Sequence, residues 1–160
     1  MSETHTVAVG DVRRVLLGVA VITMTTQAVV ALVLFLRFWL GYAEEPGRAV
    51  WLGVFHAVSA FNNAGFALFS DNLMSFVADP WICLPICAAI ILGGLGFPVI
   101  MELRRRLLLP RRWTLNTMTV VIGSLVLLVF GAITLTALEW SNPGTLGPLD
   151  PAGRLLAGFA

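Results

Sequence analysis

Lysine is missing from this sequence altogether, and charge of either sign is scarce. Of 160 residues 12% are charged, and all ten positive charges are arginine. Soluble domains carry roughly 25% charged residues, so the shortfall points to a membrane protein. A net charge of +1 gives no reason to expect nucleic-acid binding. No nucleophile–base pair, phosphate-binding glycine loop or metal-ligand cluster is present, which leaves an enzyme reading without support. His56 has no second histidine or acid within one or two turns, so it reads as a packed or locally hydrogen-bonded residue rather than a metal ligand. Cys83 and Cys87 stand one helical turn apart in an apolar run. They read as reduced small hydrophobes rather than a disulfide or ligand pair.

What is present is a set of long uncharged runs. Val15–Leu36 is 22 residues, Ala49–Ser70 is 22, Pro80–Met101 is 22 and Trp113–Leu138 is 26. Crossing a hydrocarbon core of about 30 Å takes roughly 20 residues. The first run is too long for a cleaved signal sequence, whose apolar region is about 7–15 residues. It reads as a retained span ending near Trp39 and Tyr42, which serve as interfacial anchors.

The four runs cannot all cross. Positive charge favours the cytoplasmic side of a span. Arg13 and Arg14 therefore place the N-terminus inside, and Arg104, Arg105, Arg106, Arg111 and Arg112 place their loop inside as well. Orientation is the plain role of that cluster, with binding of a regulator or an anionic lipid as the alternative. Two inside ends require an even number of crossings between them, yet three runs intervene. One run must enter and turn back.

The odd run is Ala49–Ser70, whose centre carries His56, Ser59, Asn62 and Asn63. Asn62-Asn63-Ala64-Gly65 is poor helix-continuing sequence, since Gly costs about 1 kcal/mol against Ala in a helix interior. Backbone that leaves a helix at membrane depth must be buried in protein or line a watery path. The pattern predicts a short helix over about Arg48–Phe61 that enters from outside and ends near Asn62-Asn63. The chain then returns outward to Ser70-Asp71-Asn72. A helix entering this way points a C-terminus carrying about half a negative charge at the membrane centre. No carboxylate lies between Glu45 and Asp71. A cation is then met by backbone carbonyls around Asn63-Ala64-Gly65 rather than by an acid ring.

The end of the chain partly repeats this segment. "PGRAVWLGVFHA" (46–57) is echoed by "PAGRLLAGFA" (151–160), each after an outward-going span and a Pro/Gly loop. The expected organisation is a parallel repeat whose second copy is cut at Ala160, so that the chain is a piece of a longer repeated protein.

"FHAVSAFNNAGFALF", followed by a span holding "ILGGLGFPVIMEL", resembles the Trk/Ktr/HKT family of potassium transporters. In that family one polypeptide holds four M1–pore loop–M2 repeats around one pore, each loop giving one filter segment with a key glycine. The resemblance is best to the second repeat and covers nearly the whole chain. It implies an all-α membrane protein with three transmembrane helices plus one re-entrant pore helix and an extended filter loop. The implied order is a cytoplasmic segment 1–14 and a repeat 15–101, composed of M1 15–40, pore loop 48–70 and M2 80–101. An Arg-rich cytoplasmic loop 102–112 and the start of a further repeat, 113–160, follow.

By position, Gly65 becomes the filter glycine and Asn62, Asn63 and Ala64 line neighbouring sites through their carbonyls. Gly93, Gly94, Gly96 and Pro98 form either a gating hinge or a close-packing patch with a kink. The implied activity is uptake of potassium, or of sodium, across the plasma membrane by a multi-pass chain, without any resident cofactor. The implied partners are the remaining repeats or other copies, the bilayer, and a cytosolic nucleotide-binding regulatory subunit. The alternative is a membrane fragment or scaffold that conducts nothing alone.

Overall fold

A computed structural model describes residues 9–107 and 112–160, with side chains from Val12 onward. Arg111 and the middle of the Arg-rich loop lie outside the described residues. Among the described residues all regular structure is helical, which agrees with the all-α expectation. The helices are α1 (Val9–Gly41), α2 (Pro46–Phe61), α3 (Pro80–Leu95), α4 (Phe97–Arg106), α5 (Leu115–Glu139) and α6 (Pro151–Phe159), with a short 3-10 turn at Met74–Phe76.

Local chemistry sets most of these boundaries. Proline occupies the first position of α2, α3 and α6, where a missing N–H costs nothing. Asp79 caps α3 by accepting from the Trp81 N–H at 3.0 Å. Thr114 accepts from the Thr117 N–H at 3.3 Å at the start of α5, and Asp150 from the Gly153 N–H at 3.2 Å at the start of α6. Such caps satisfy donors that a helix start leaves free.

Two helices, over Val12–Gly41 and Leu115–Glu139, are long and apolar enough to cross a membrane. A third candidate exists only if α3 and α4 count as one broken span, because they meet at 102°. The run 80–101 is thus two helices meeting at a sharp bend. The break sits at Gly96, with φ 79° and ψ 151°, a conformation open mainly to glycine. Pro98 follows two residues later and cannot donate a backbone hydrogen bond across the break.

α1, α2 and α3 share one core, built on Leu34 and Phe38 of α1, Ala49, Leu52 and Ala57 of α2, and Ile82 and Ala89 of α3. α2 turns back beside α1 and packs on it backbone to backbone. A Cβ on Gly53 would stand 2.7 Å from the Ala31 carbonyl oxygen and 2.9 Å from the Phe35 nitrogen. At 16 residues, α2 is about 24 Å long at 1.5 Å per residue, short of the roughly 30 Å apolar core. Beyond it the chain climbs back to the end of α1 it had left. Phe76 lies against Tyr42 at 4.9 Å between ring centroids and against Phe38 at 5.5 Å, and Phe69 lies 5.9 Å from Phe38.

Tyr42 is more than the interfacial anchor read from sequence. Its hydroxyl donates to Asp79 at 2.9 Å, and burial pushes its pKa up. At the opposite end of α1, Phe97 packs on Gly18, and Arg14 shares a recess with Arg105 and Arg106.

α6 sits on α5 much as α2 sits on α1. A Cβ on Gly158 would overlap the Thr136 side chain. The same sequence offset relates Ala31 to Thr136 and Gly53 to Gly158, so both helix pairs close on a glycine at matching positions.

Candidate functional site

The segment Asn62–Leu68 is built by the end of α2. The last carbonyls of that helix are taken by the chain that follows: Asn62 N–H donates to Val58 at 3.1 Å, Asn63 N–H to Ala60 at 3.1 Å and Ala64 N–H to Ser59 at 2.9 Å. The Asn62 side chain also donates to Val58, at 2.9 Å. Asn63 has φ 51° and Gly65 φ 72°. Two left-handed residues so close together cannot continue a helix and reverse the chain; Asn and Gly are the residues that tolerate this.

From Ala64 onward the backbone is held by two buried side chains of α2. Ser59 Oγ donates to the Phe66 carbonyl at 2.7 Å and accepts from the Phe66 N–H at 3.1 Å. Both neighbours of Gly65 are therefore bonded to Ser59, Ala64 through the Ser59 carbonyl and Phe66 through the hydroxyl. One turn earlier, His56 Nδ1 lies 2.8 Å from the Leu52 carbonyl, while Nε2 accepts from the Leu68 N–H at 3.4 Å. Leu52 offers only an acceptor and Leu68 only a donor, so the imidazole is the Nδ1–H tautomer. Its ring stacks on Phe69 at 5.4 Å and 16°. His56 is thus a buried strut, packed and hydrogen-bonded locally.

These bonds leave a distinctive residue. Among the described residues no hydrogen bond is made to the carbonyl oxygens of Asn62, Asn63, Ala64 or Gly65, and all four residues are exposed. The Phe66 carbonyl, turned onto Ser59, is already occupied. Asn63 and Gly65 line one recess of about 450 Å³ with His56 and Ser59, whereas Ala64 faces another, beside Trp51 and Val58. Within this chain a Cβ on Gly65 would meet nothing within 4 Å. The demand for glycine comes from its φ of 72°.

The glycine-rich segment divides into two parts. Gly93 lies against the end of α2, where a Cβ would overlap the Phe61 carbonyl oxygen, and a Cβ on Gly94 would stand 3.7 Å from Asn63 Nδ2. Gly96 makes the break, and Pro98 lines the recess beside Arg14 and Arg105. Cys83 and Cys87 are free thiols, both buried, and Cys83 Sγ lies 3.3 Å from the Phe76 carbonyl.

Three residues important to this arrangement had carried no role in the sequence reading. Asp79 is buried and accepts from Arg37 Nε at 2.6 Å, from Tyr42 and from Trp81. Glu102 accepts from the Thr117 hydroxyl at 2.6 Å and from Thr114 through hydroxyl and N–H at 2.7 and 2.9 Å. Ser59 was noted only as an oddly polar residue. The available signals were an acid directly before a helix-starting proline, and a hydroxyl in an apolar run.

The chain is similar over residues 2–145 to the TrkH family model, described as a cation transport protein. It is 38% identical over 137 residues to the Ktr system potassium uptake protein B of Bacillus subtilis, covering 86% of this chain and 30% of that protein. It is likewise 38% identical over 157 residues to the protein of the same name from Vibrio alginolyticus, covering 95% of this chain and 34% of that one. A shorter match, 38% over 84 residues, is to the potassium/sodium uptake protein NtpJ of Enterococcus hirae, covering 52% of this chain and 18% of that protein. The chain thus spans about a third of the length of the first two relatives. A family match over most of the chain, on a helical membrane protein with a backbone-exposing loop at its centre, places it: the chain belongs to the TrkH family of cation transport proteins.

Proposed function

We propose that this chain contributes one quarter of a potassium-uptake pore in the plasma membrane. α1 is M1, α2 the pore helix, residues 62–65 the filter segment, and α3 with α4 a broken M2. α5 and α6 begin the next such unit. The observation that carries the reading is four successive exposed residues, Asn62 to Gly65, whose carbonyl oxygens accept no hydrogen bond among the described residues. Exposed backbone at membrane depth needs protein or a watery path around it, and carbonyl oxygens replace the hydration shell of a cation.

The orientation follows the arginines. Arg14, Arg105 and Arg106 gather at one end, read as cytoplasmic. Arg37 and Asp79 meet at the other, read as external. The driving force is the ion gradient and the membrane potential, about 2.3 kcal/mol per charge per 100 mV. Potassium is the proposed cargo, from the names of the Bacillus and Vibrio relatives, with sodium second, from the Enterococcus relative.

The test is a transporter in which this chain replaces the matched segment of the Bacillus relative, in cells lacking potassium uptake. It should restore growth at low potassium, whereas the 160 residues alone, supplying one filter segment of four, should not. A chimera that reaches the membrane and moves no potassium or sodium would contradict the proposal.

A further inference from the structure

We propose that His56 and Ser59 are positioning residues which together set the backbone of residues 64–68, and that His56 does so only as the neutral Nδ1–H imidazole. The proposal concerns the geometry of the loop; its consequence for ion selection rests on the reading of 62–65 as the filter.

The two side chains project from α2 one turn apart and meet the returning chain at two points. Ser59 takes both polar groups of Phe66, at 2.7 and 3.1 Å. His56 takes the N–H of Leu68 at 3.4 Å. Both are buried, at 2% exposure for His56 and 8% for Ser59, where an unmet donor or acceptor is costly. With Ala64 held by the Ser59 carbonyl, Gly65 is bracketed on both sides. Its carbonyl direction is then fixed by Ser59 rather than by its own preference, which as glycine is weak.

The chemistry of imidazole makes one of these two points conditional. Nδ1–H donates to the Leu52 carbonyl and leaves Nε2 as the acceptor. A proton added to Nε2 turns it into a donor facing the Leu68 N–H, so the contact changes from attraction to repulsion. Among the described residues no acid pairs with the ring. The ring is enclosed by Phe38 of α1, Phe55 of its own helix and Phe69 of the loop. α3 presents Ile86 and Ile90 to the adjoining recess. The ionisable groups around this cluster are the thiol Cys83, which bonds to Phe76, and the trio Arg37, Tyr42 and Asp79, which bond to one another. None of these contacts the imidazole.

The experiment uses the 160-residue chain in lipid nanodiscs with His5, the other histidine, replaced by glutamine. Imidazole nitrogen shifts report the tautomer and the titration of His56, and amide exchange is followed at Phe66 and Leu68. The expected wild-type result is the Nδ1–H tautomer, with Leu68 losing protection at the same pH midpoint at which His56 gains its proton. His56→Phe, which keeps the ring stack, should raise exchange at Leu68 roughly fivefold, and Ser59→Ala should do so at Phe66, about what one ordinary hydrogen bond provides. An Nε2–H tautomer in the wild type, or unchanged exchange at both amides in well-folded variants, overturns the proposal. Potassium-to-sodium selectivity of Ser59→Ala in the chimera separates the two readings. Amides that loosen with a severalfold fall in selectivity support both, whereas amides that loosen with selectivity intact keep the brace and remove 62–65 as the filter.

Discussion

Arg37 Nε lies 2.6 Å from Asp79 Oδ2, joining the end of α1 to the start of α3 across the whole intervening loop. Asp79 is buried, and the same carboxylate takes the Tyr42 hydroxyl and caps α3 through Trp81. One side chain thereby closes the ring formed by α1, α2, the returning segment and α3. Asp79→Asn keeps one oxygen to accept from the Trp81 N–H, but its amide nitrogen replaces the oxygen that Arg37 and Tyr42 share, so the ion pair and the acceptor for Tyr42 are lost. Asp79→Ala loses the cap as well, worth about 1 kcal/mol in its own right. Thermal unfolding in detergent should rank wild type above Asn and Asn above Ala. Arg37→Gln should be milder in the Asp79→Asn background than in the wild type, since its partner charge is already gone. Equal losses in both backgrounds would show that the pair is uncoupled.

Gly93 and Gly94 separate packing from hinging. A Cβ on Gly93 would overlap the Phe61 carbonyl oxygen, whereas one on Gly94 would make an ordinary contact at 3.7 Å. Gly93→Ala should destabilise the fold by about 1–3 kcal/mol, as overpacking does, and Gly94→Ala by less than about 1 kcal/mol. Thermal midpoints of the two variants check the order. A hinge role for both positions predicts the opposite pattern, with normal stability and altered ion flux.

Glu102 ties α4 to α5 through Thr117 and Thr114, and those hydroxyl donors, Thr117 foremost, hold its carboxyl below the ordinary value of 4.5. A group whose folded pKa is depressed adds stability above its unfolded value and loses it as the pH falls through the folded value. The link should therefore be intact at neutral pH and weaken as the pH drops below about 4.5. Glu102→Gln should be less stable than wild type at pH 7, and the gap should close in acid. A gap that stays constant from pH 7 to pH 3 would show that the carboxylate charge plays no part.

The course of residues 46–79 has its own test. With Cys83 and Cys87 replaced, single cysteines at Arg48 and at Asn72 should both react with an impermeant reagent added outside. Labelling at Asn72 only from the cytoplasmic side would sink the re-entrant reading.

Much of this arrangement was legible from patterns that work locally. Uncharged runs marked the long helices, Pro46 and the pair Asn62-Asn63 bounded α2, and the count of arginine-flanked ends called for one run that does not cross, with the polar centre of Ala49–Ser70 naming the candidate. Gly93-Gly94-Leu95-Gly96-Phe97-Pro98 showed that something happens in the second half of the third run. Composition could not tell a kink from the 102° bend, because the angle depends on the φ that Gly96 adopts against its neighbours. The brace and the two carboxylate latches were not legible, for a related reason. Ser59 and Phe66, His56 and Leu68, Arg37 and Asp79, and Glu102 and Thr117 are partners only once α2 has turned back on α1 or α4 has met α5. Nothing in their spacing announces them.

If cations meet the backbone carbonyls of residues 62–65, potassium and sodium uptake by two variants of the chimera, at matched membrane abundance, should tell them apart. Gly65→Ser places a side chain at φ 72°, which costs roughly 1–2 kcal/mol and reorients the peptide. The control is Asn63→Gly rather than Asn63→Ala, since φ at Asn63 is 51° and glycine removes the side chain without that strain. A backbone filter gives a severalfold loss of potassium preference for Gly65→Ser with insertion unchanged, and near-normal selectivity for Asn63→Gly, which keeps its carbonyl. Normal selectivity in Gly65→Ser together with lost selectivity in Asn63→Gly would contradict a backbone filter and put the ligand on the Asn63 side chain.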